Sequence, residues 1–316
     1  MKKILANDGI HPIGQQLLEN AGFEVITDKI SQEQLPDKIA DFDGLIVRSA
    51  TKVNKEVLAN PGKLKIIGRA GVGLDNIDLD VAKIAGIEVF NTASASSKAV
   101  ASLAMAMILG ISRNLHLAAR TMPIEGATNF STLKKAYAGG FELEGKKLGI
   151  IGFGRIGQEM ARLGIGMGME ILAFDAFYTP STLGWDYGTH NFEISLKNYS
   201  LEDVLKLSDI ISIHVPSQKD GALIGKEEFD ILQKGVVLIN TSRGGIIDEN
   251  ELLLGLDSGK IRAAGLDVFE NEPKPKQSLL AHPNVFASPH IGAETNEAQK
   301  RIGIELANNI ISFFNK

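Results

Sequence analysis

LGIIGFGRIGQ, residues 148–158, decides the fold. Leu148–Ile151 is an apolar strand, and Gly152-Phe153-Gly154-Arg155-Ile156-Gly157 turns it directly into a helix. The three glycines meet different demands. Gly152 permits the tight turn, Gly154 lets the backbone approach a pyrophosphate, and Gly157 lets the helix press on the strand. The helix N-terminus offers free N–H groups and the positive end of a dipole to phosphates. An acidic residue belongs about 20 positions further on, and Asp175 stands at the end of the next strand, Ile171–Phe174. A carboxylate there accepts from both ribose hydroxyls and repels a 2′-phosphate, which favours NAD over NADP. A glycine-rich turn without a ligand is the alternative, and strand, helix and Asp175 together weigh against it.

Outward from this unit, short apolar runs alternate with helical stretches. Strands are expected at 147–151, 170–174, 209–214, 235–240, 262–266 and 284–288, with helical runs at 158–166, 201–207 and 249–258. Six strands in βα alternation make a doubly wound parallel sheet. Nearer the N-terminus, strands at 3–6, 23–26, 44–47, 64–67 and 87–90, with helices at 11–20 and 79–85, predict a second parallel sheet. Residues 96–120 read as one long helix, apolar over too much of its circumference for an isolated surface element. A buried inter-domain helix and a subunit interface are its two readings. Residues 121–145 are polar with no clear period, and 294–316 form a final helix able to pack back on the first domain.

Composition bounds the function. At roughly 100–200 residues per domain, 316 residues favour two domains. A hydrophobic share of 44% with 22% charged excludes wholesale disorder. The net charge of −5 argues against a nucleic-acid partner, which usually meets a basic face. Without cysteine there is no disulfide, thiol nucleophile or Cys-ligated zinc, and no histidine spacing suits a metal. The opening MKKILAND reaches Asp8 too early for a signal-peptide core. The most apolar stretch, 99–111, is too short to span a bilayer. A soluble, cytoplasmic protein with no membrane partner is expected.

In open parallel sheets, ligands sit outside the carboxyl ends of the strands. Those ends carry Gly152, Asp175, His214-Val215-Pro216, Thr241-Ser242-Arg243, Asp267 and Pro289-His290 in the second sheet. In the first sheet they carry Asp8, Arg48-Ser49, Arg69-Ala70-Gly71 and Asn91-Thr92. Both rows would face one cleft if the two sheets point their carboxyl ends at each other. His290 is the candidate for proton transfer, whereas His214, before a proline, reads as a cofactor wall. His11, His116, His190 and His282 read as structural or solvent-facing.

With these residues in view, the chain resembles the D-isomer-specific 2-hydroxyacid dehydrogenases over nearly its whole length. The blocks are VRSATKV (47–53), GRAGVGLDNID (68–78), LGIIGFGRIGQ (148–158), INTSRGGIIDE (239–249), AGLDVFENEP (264–273) and SPHIGAETNEAQ (288–299). The resemblance implies an α/β fold of two Rossmann-like domains. One is a doubly wound NAD domain (98–290), the other a smaller flavodoxin-like substrate domain made of both chain ends (1–97 plus 291–316). It assigns Arg243 to the substrate carboxylate, His290 to acid–base work, Glu272 to pairing with it, and Asp267 to the nicotinamide carboxamide. Gly292 and Ala293 join the cofactor residues, and the cofactor is NAD. The first two blocks imply a small phosphorylated hydroxy or keto acid. Arg48, Ser49 and Arg69 would face its phosphate, and the amides of Gly71, Val72 and Gly73 would help hold its carboxylate. Inter-domain salt bridges are the plainer reading of the two arginines. An unphosphorylated acid is a neighbouring alternative, and an NAD-sensing co-repressor-like protein is one of another class. A homodimer through the NAD domain is implied. Many members carry Glu where this chain has Ser102, which weakens transfer of interface detail. Ending at Lys316, the chain is expected to be a short form without a regulatory domain.

Overall fold

A computed structural model describes residues 1–218 and 221–315. The chain divides into two compact units, Met1–Ala99 with Ala293–Lys316, and Val100–Gly292. The first contains β1 (Lys3–Ala6), α1 (Pro12–Asn20), β2 (Glu24–Ile26), α2 (Leu35–Lys38), β3 (Gly44–Val47), β4 (Ile66–Arg69), α3 (Leu79–Ile84) and β5 (Glu88–Asn91). Its five strands are parallel in the order β2-β1-β3-β4-β5, the flavodoxin-like arrangement. The central strands bury both faces, as Leu45, Ile46, Val47, Ile66 and Ile67 show.

Two helices follow, α4 (Ser97–Ser112) and α5 (Leu115–Ala136). The single helix expected over 96–120 is therefore broken, and Asn114, in the left-handed region at φ 54°, makes the break. The segment beyond 121, expected to be irregular, is helical to Ala136 with a kink at Asn129. It hid from the sequence because α5 buries little, only His116, Gly126 and Leu133, so no apolar stripe marks it. The apolar face of α4 packs inside the second unit, where Ala101, Ala104, Met107 and Ile108 join the core under the large sheet. Ser102 lies on its exposed side. Among the described residues no single helix is long and apolar enough to cross a membrane; α4 and α5 pass such a test only jointly, across a 64° bend.

The second unit continues with β6 (Lys147–Ile151), α6 (Arg155–Gly166), β7 (Glu170–Phe174), β8 (Thr182–Tyr187), β9 (His190–Ser195), α7 (Leu201–Leu207) and β10 (Ile210–Ile213). Then come α8 (Lys226–Ile231), β11 (Val236–Asn240), α9 (Glu249–Asp257), β12 (Ile261–Leu266), α10 (Gln277–Ala281) and β13 (Val285–Ala287). Six strands form a parallel sheet in the order β13-β12-β11-β10-β6-β7. The order reverses between β6 and β10, which opens a crevice at their carboxyl ends. The antiparallel hairpin β8–β9 was not foreseen. Most of its side chains are exposed, and it is anchored by buried Leu183 and by Arg162, which donates to Gly184 O at 2.9 and 2.7 Å.

The last helix, α11 (Asn296–Phe314), returns to the first unit and crosses α1. The crossing is close because a Cβ at Gly14 would lie 2.5 Å from Gly303 O.

Candidate active site

Register alone assembles the row of polar residues in the second unit. Ile151 pairs with Ile213 and Phe174, Ile213 with Asn240, Asn240 with Leu266, and Leu266 with Ala287. The residues that follow, Gly152, His214, Asp175, Thr241, Asp267 and Ser288, therefore leave the sheet along one edge.

The glycine turn matches the role of each glycine. Gly152 has φ 90°, and a Cβ there would meet His214 O at 2.5 Å. A Cβ on Gly157 would lie 2.2 Å from Gly152 O. Only Gly154 faces open space, and as N-cap of α6 it lends no side chain to the helix amides. Arg155 is exposed and Ile156 half-buried on the first turn. Asp175 braces this turn: its Oδ2 accepts from Phe153 N at 2.8 Å and its Oδ1 from Phe177 N at 2.9 Å. Tyr178, unremarked in the sequence, donates to Phe153 O. Two buried polar atoms at this edge, Thr241 Oγ1 and His214 Nδ1, lack a hydrogen-bond partner among the described residues. An open backbone cradle, uncapped helix amides and unsatisfied polar atoms fit a dinucleotide.

Burial holds the His214 imidazole down from 6.5 to about 4, and its Nε2 lies 2.9 Å from Ser212 Oγ. The unfolded chain takes up this proton from about 6.5 and the folded chain only near 4. The contribution of neutral His214 to stability is thus full above 6.5 and lost as the pH falls towards 4. Denaturant titrations across that window should show a shallower acid loss for His214→Gln; equal slopes would refute this. Val215 and Pro216 follow, half-buried and exposed.

The next strand end is clamped by Asn240, which sequence reasoning passed over. Its Oδ1 accepts from Ser242 N at 3.0 Å and Ser242 Oγ at 2.7 Å, and its Nδ2 donates to Arg243 O at 2.8 Å. Nη1 of Arg243 donates to Ser242 O at 2.7 Å. Gly244 presses on the neighbouring strand end, where a Cβ would meet Phe269 O at 1.9 Å. Phe269 N in turn donates to Glu272 Oε1 at 3.0 Å, so the Arg243 and Glu272 loops share one backbone contact region.

His290 Nδ1 lies 2.8 Å from Glu272 Oε2. The histidine takes φ 56°, uncommon for a side chain with a Cβ. Asp267 supports this turn rather than standing open: its buried carboxylate accepts from Ser288 Oγ at 2.5 Å, Ile291 N at 2.8 Å and Gly292 N at 2.8 Å. The expectation that it serves the nicotinamide carboxamide therefore meets a carboxylate already engaged by its own chain. Ala293 O accepts from Gln299 Nε2 at 3.0 Å. A hollow of about 390 Å³ opens beside the His–Glu pair, lined by Phe269, Pro273, Pro275, Leu280 and Ala287.

In the first unit, Asp8 organises the loop after β3. It accepts from Arg48 N at 2.8 Å, Thr51 N at 3.0 Å and Thr51 Oγ1 at 2.8 Å. Asn76 Nδ2 donates to Arg48 O at 2.8 Å and Thr51 O at 2.7 Å. The Arg48 guanidinium bridges Glu294, within this same unit. Ser49 is exposed. Arg69 folds back over its own loop, donating to Ala70 O at 3.1 Å. One expectation needs correction: Gly71 N is not offered to a ligand, because it donates to Thr92 Oγ1 at 2.8 Å. Val72 and Gly73 remain half-buried on that loop. The other histidines are structural or on the surface: His11 caps α1, His116 stacks on Phe286, His190 lies near Phe192, and His282 accepts from Asn284 N.

Residues 105–292 match the family described as D-isomer specific 2-hydroxyacid dehydrogenase, NAD binding domain. The chain belongs to this family. Its cofactor is NAD. It is 40% identical over 311 residues to a D-3-phosphoglycerate dehydrogenase of Methanocaldococcus jannaschii, covering 98% of this chain and 57% of that protein. It is 42% identical over 314 residues to a hydroxypyruvate reductase of Thermotoga maritima, covering 98% and 97%. A glyoxylate reductase from Paecilomyes thermophila matches in structure with TM-score 0.83 and 28% identity, covering 100% of this chain and 96% of that one. The chain thus spans little more than half the length of the phosphoglycerate dehydrogenase and nearly all of the hydroxypyruvate reductase.

Proposed function

We propose that the chain interconverts a small D-2-hydroxy acid and its 2-oxo acid. The observation that carries this is the His290–Glu272 pair, set on the sheet edge that also carries the glycine turn. With Nδ1 held by the carboxylate, Nε2 is the nitrogen left to take the hydroxyl proton. Arg243 holds the substrate carboxylate through a planar fork that lysine lacks. NAD, on Gly152, Gly154 and Gly157, supplies the hydride acceptor. Asp175, fixed at the end of β7, places a negative charge where a 2′-phosphate would come.

Two three-carbon acids are the candidate substrates. The first is D-3-phosphoglycerate, oxidised to 3-phosphohydroxypyruvate as in the first step of serine biosynthesis; the VRSATKV and GRAGVGLDNID blocks support it. The second is the unphosphorylated pair D-glycerate and hydroxypyruvate, supported by the similarity to the hydroxypyruvate reductase of Thermotoga maritima over nearly its whole length. The ratio of kcat/KM for the two hydroxy acids decides between them, and turnover of neither refutes the reaction itself. In the same assay NAD should outperform NADP. Asp175→Ala should narrow that gap by at most a few kcal/mol; equal use of both by the unmodified protein would refute the role of Asp175.

A homodimer through the second unit is part of this reading. Ile124 and Phe130 on α5 and Phe192 on the hairpin leave large apolar side chains exposed. A monomer in sedimentation would overturn it.

A further inference from the structure

The stretch of chain that carries Glu272 is gripped by a cluster of charges that the proposed reaction does not use. Glu249 and Glu270 exchange hydrogen bonds with each other's main chain: Glu249 N donates to Glu270 Oε1 at 3.1 Å, and Glu270 N to Glu249 Oε1 at 2.8 Å. The exchange brings two carboxylates together, and the Glu249 side chain is only 6% exposed. Lys276 closes the cluster. Its ammonium donates to Glu270 Oε2 and to Asn250 Oδ1, each at 3.2 Å, and lies 3.5 Å from Glu249 Oε2. Burial works against that charge, but the two carboxylates, Glu270 foremost, hold the ammonium above the ordinary lysine value. Glu249 Oε2 accepts no hydrogen bond among the described residues, so the nearby ammonium is what offsets its buried charge.

Two short stretches of main chain connect this cluster to the reacting groups, all within the second unit. Gly244, next to Arg243, presses on Phe269 O, and Glu249 at the start of α9 holds Glu270 N. Phe269 N donates to Glu272 Oε1, and the other oxygen of Glu272 meets His290 Nδ1. We propose that Lys276 is a positioning residue: by neutralising Glu249 and Glu270 it fixes residues 269–272, and so sets the Glu272 carboxylate on His290. The proposal rests on the reading of His290 and Glu272 as the acid–base pair. Without the ammonium, two facing carboxylates repel, one of them is buried and unpaired, and the reciprocal bonds to their amides loosen.

The test starts from Lys276→Met. Its kcat should fall about tenfold, as for a small displacement of a reacting group, while NADH affinity by fluorescence titration stays unchanged. Lys276→Arg keeps the charge and should restore most of the loss. In a Glu272→Gln background, Lys276→Met should change kcat by less than about twofold, because no carboxylate is left to position. An unchanged kcat, an NADH affinity that falls in step with it, no rescue by arginine, or an undiminished loss in the Glu272→Gln background overturns the proposal. Amide hydrogen exchange gives a readout apart from turnover: the Phe269 and Glu270 amides should exchange about tenfold faster in Lys276→Met, with the β6 amides unchanged. If the unmodified protein oxidises neither hydroxy acid, the proposed reaction fails, and the clamp is then judged by this exchange alone; equal rates at Phe269 overturn it. Should Lys276→Met not fold, Glu270→Gln takes its place with the same expectations for kcat and exchange, because a carboxamide has one oxygen to serve both Glu249 N and Lys276.

Discussion

Replacing His290 by alanine should lower kcat by about 10²–10⁴, the usual share of a positioned acid–base group, while NAD affinity changes little. The two effects separate because the glycine turn and Asp175 make no hydrogen bond with His290; its recorded partner is Glu272, 2.8 Å away. Hydride cannot leave C2 without loss of the hydroxyl proton, so removing Nε2 acts on the chemical step. Glu272→Gln keeps the shape of the pair but removes the counter-charge of the imidazolium, and should displace the pH profile of kcat rather than abolish turnover. Stopped-flow rates and fluorescence titration with NADH measure both quantities. A His290→Ala protein with unchanged kcat would remove the histidine from the mechanism, and an unshifted profile in Glu272→Gln would make that carboxylate structural.

Arg243→Ala should reduce kcat/KM by about 10²–10⁴, because two charge-assisted hydrogen bonds of roughly 1.5–3 kcal/mol each are lost. Arg243→Lys keeps the charge and loses the fork, so it should recover only part of the deficit. The loop itself should survive either change. Asn240 holds it through the Ser242 amide and hydroxyl and the Arg243 carbonyl, none of which belongs to the Arg243 side chain. Steady-state kinetics with each hydroxy acid, alongside thermal melts, provide the check. Equal kcat/KM in Arg243→Lys and the unmodified protein would show that a point charge suffices.

Much of the fold was legible because parallel strands buried on both faces leave short, continuous apolar runs, and βα units recur at regular spacing. The main exceptions were elements that bury little. Helix α5 and the hairpin β8–β9 show no apolar stripe, so hydrophobic pattern could not mark them. The break at Asn114 is a single left-handed residue inside an otherwise apolar helical run. In the site, the strand-end rule found Asp175, Thr241, Asp267 and His290. It missed Asn240, which ends its strand inside the sheet and acts on backbone groups, a role with no sequence signature.

What the sequence by itself determined is the pair of parallel sheets, the glycine turn and the identity of the strand-end residues. Those follow from local pattern and from the steric demands of a few positions. What only the tertiary structure decided is which of these polar groups remain open to a ligand. Gly71 N is taken by Thr92, Asp267 by the His290 turn, and Arg48 by a glutamate 246 residues away in the chain. A residue type states what a group can bond to. Which partner reaches it first depends on the register of strands and the return path of the C-terminal helix, and local sequence carries neither.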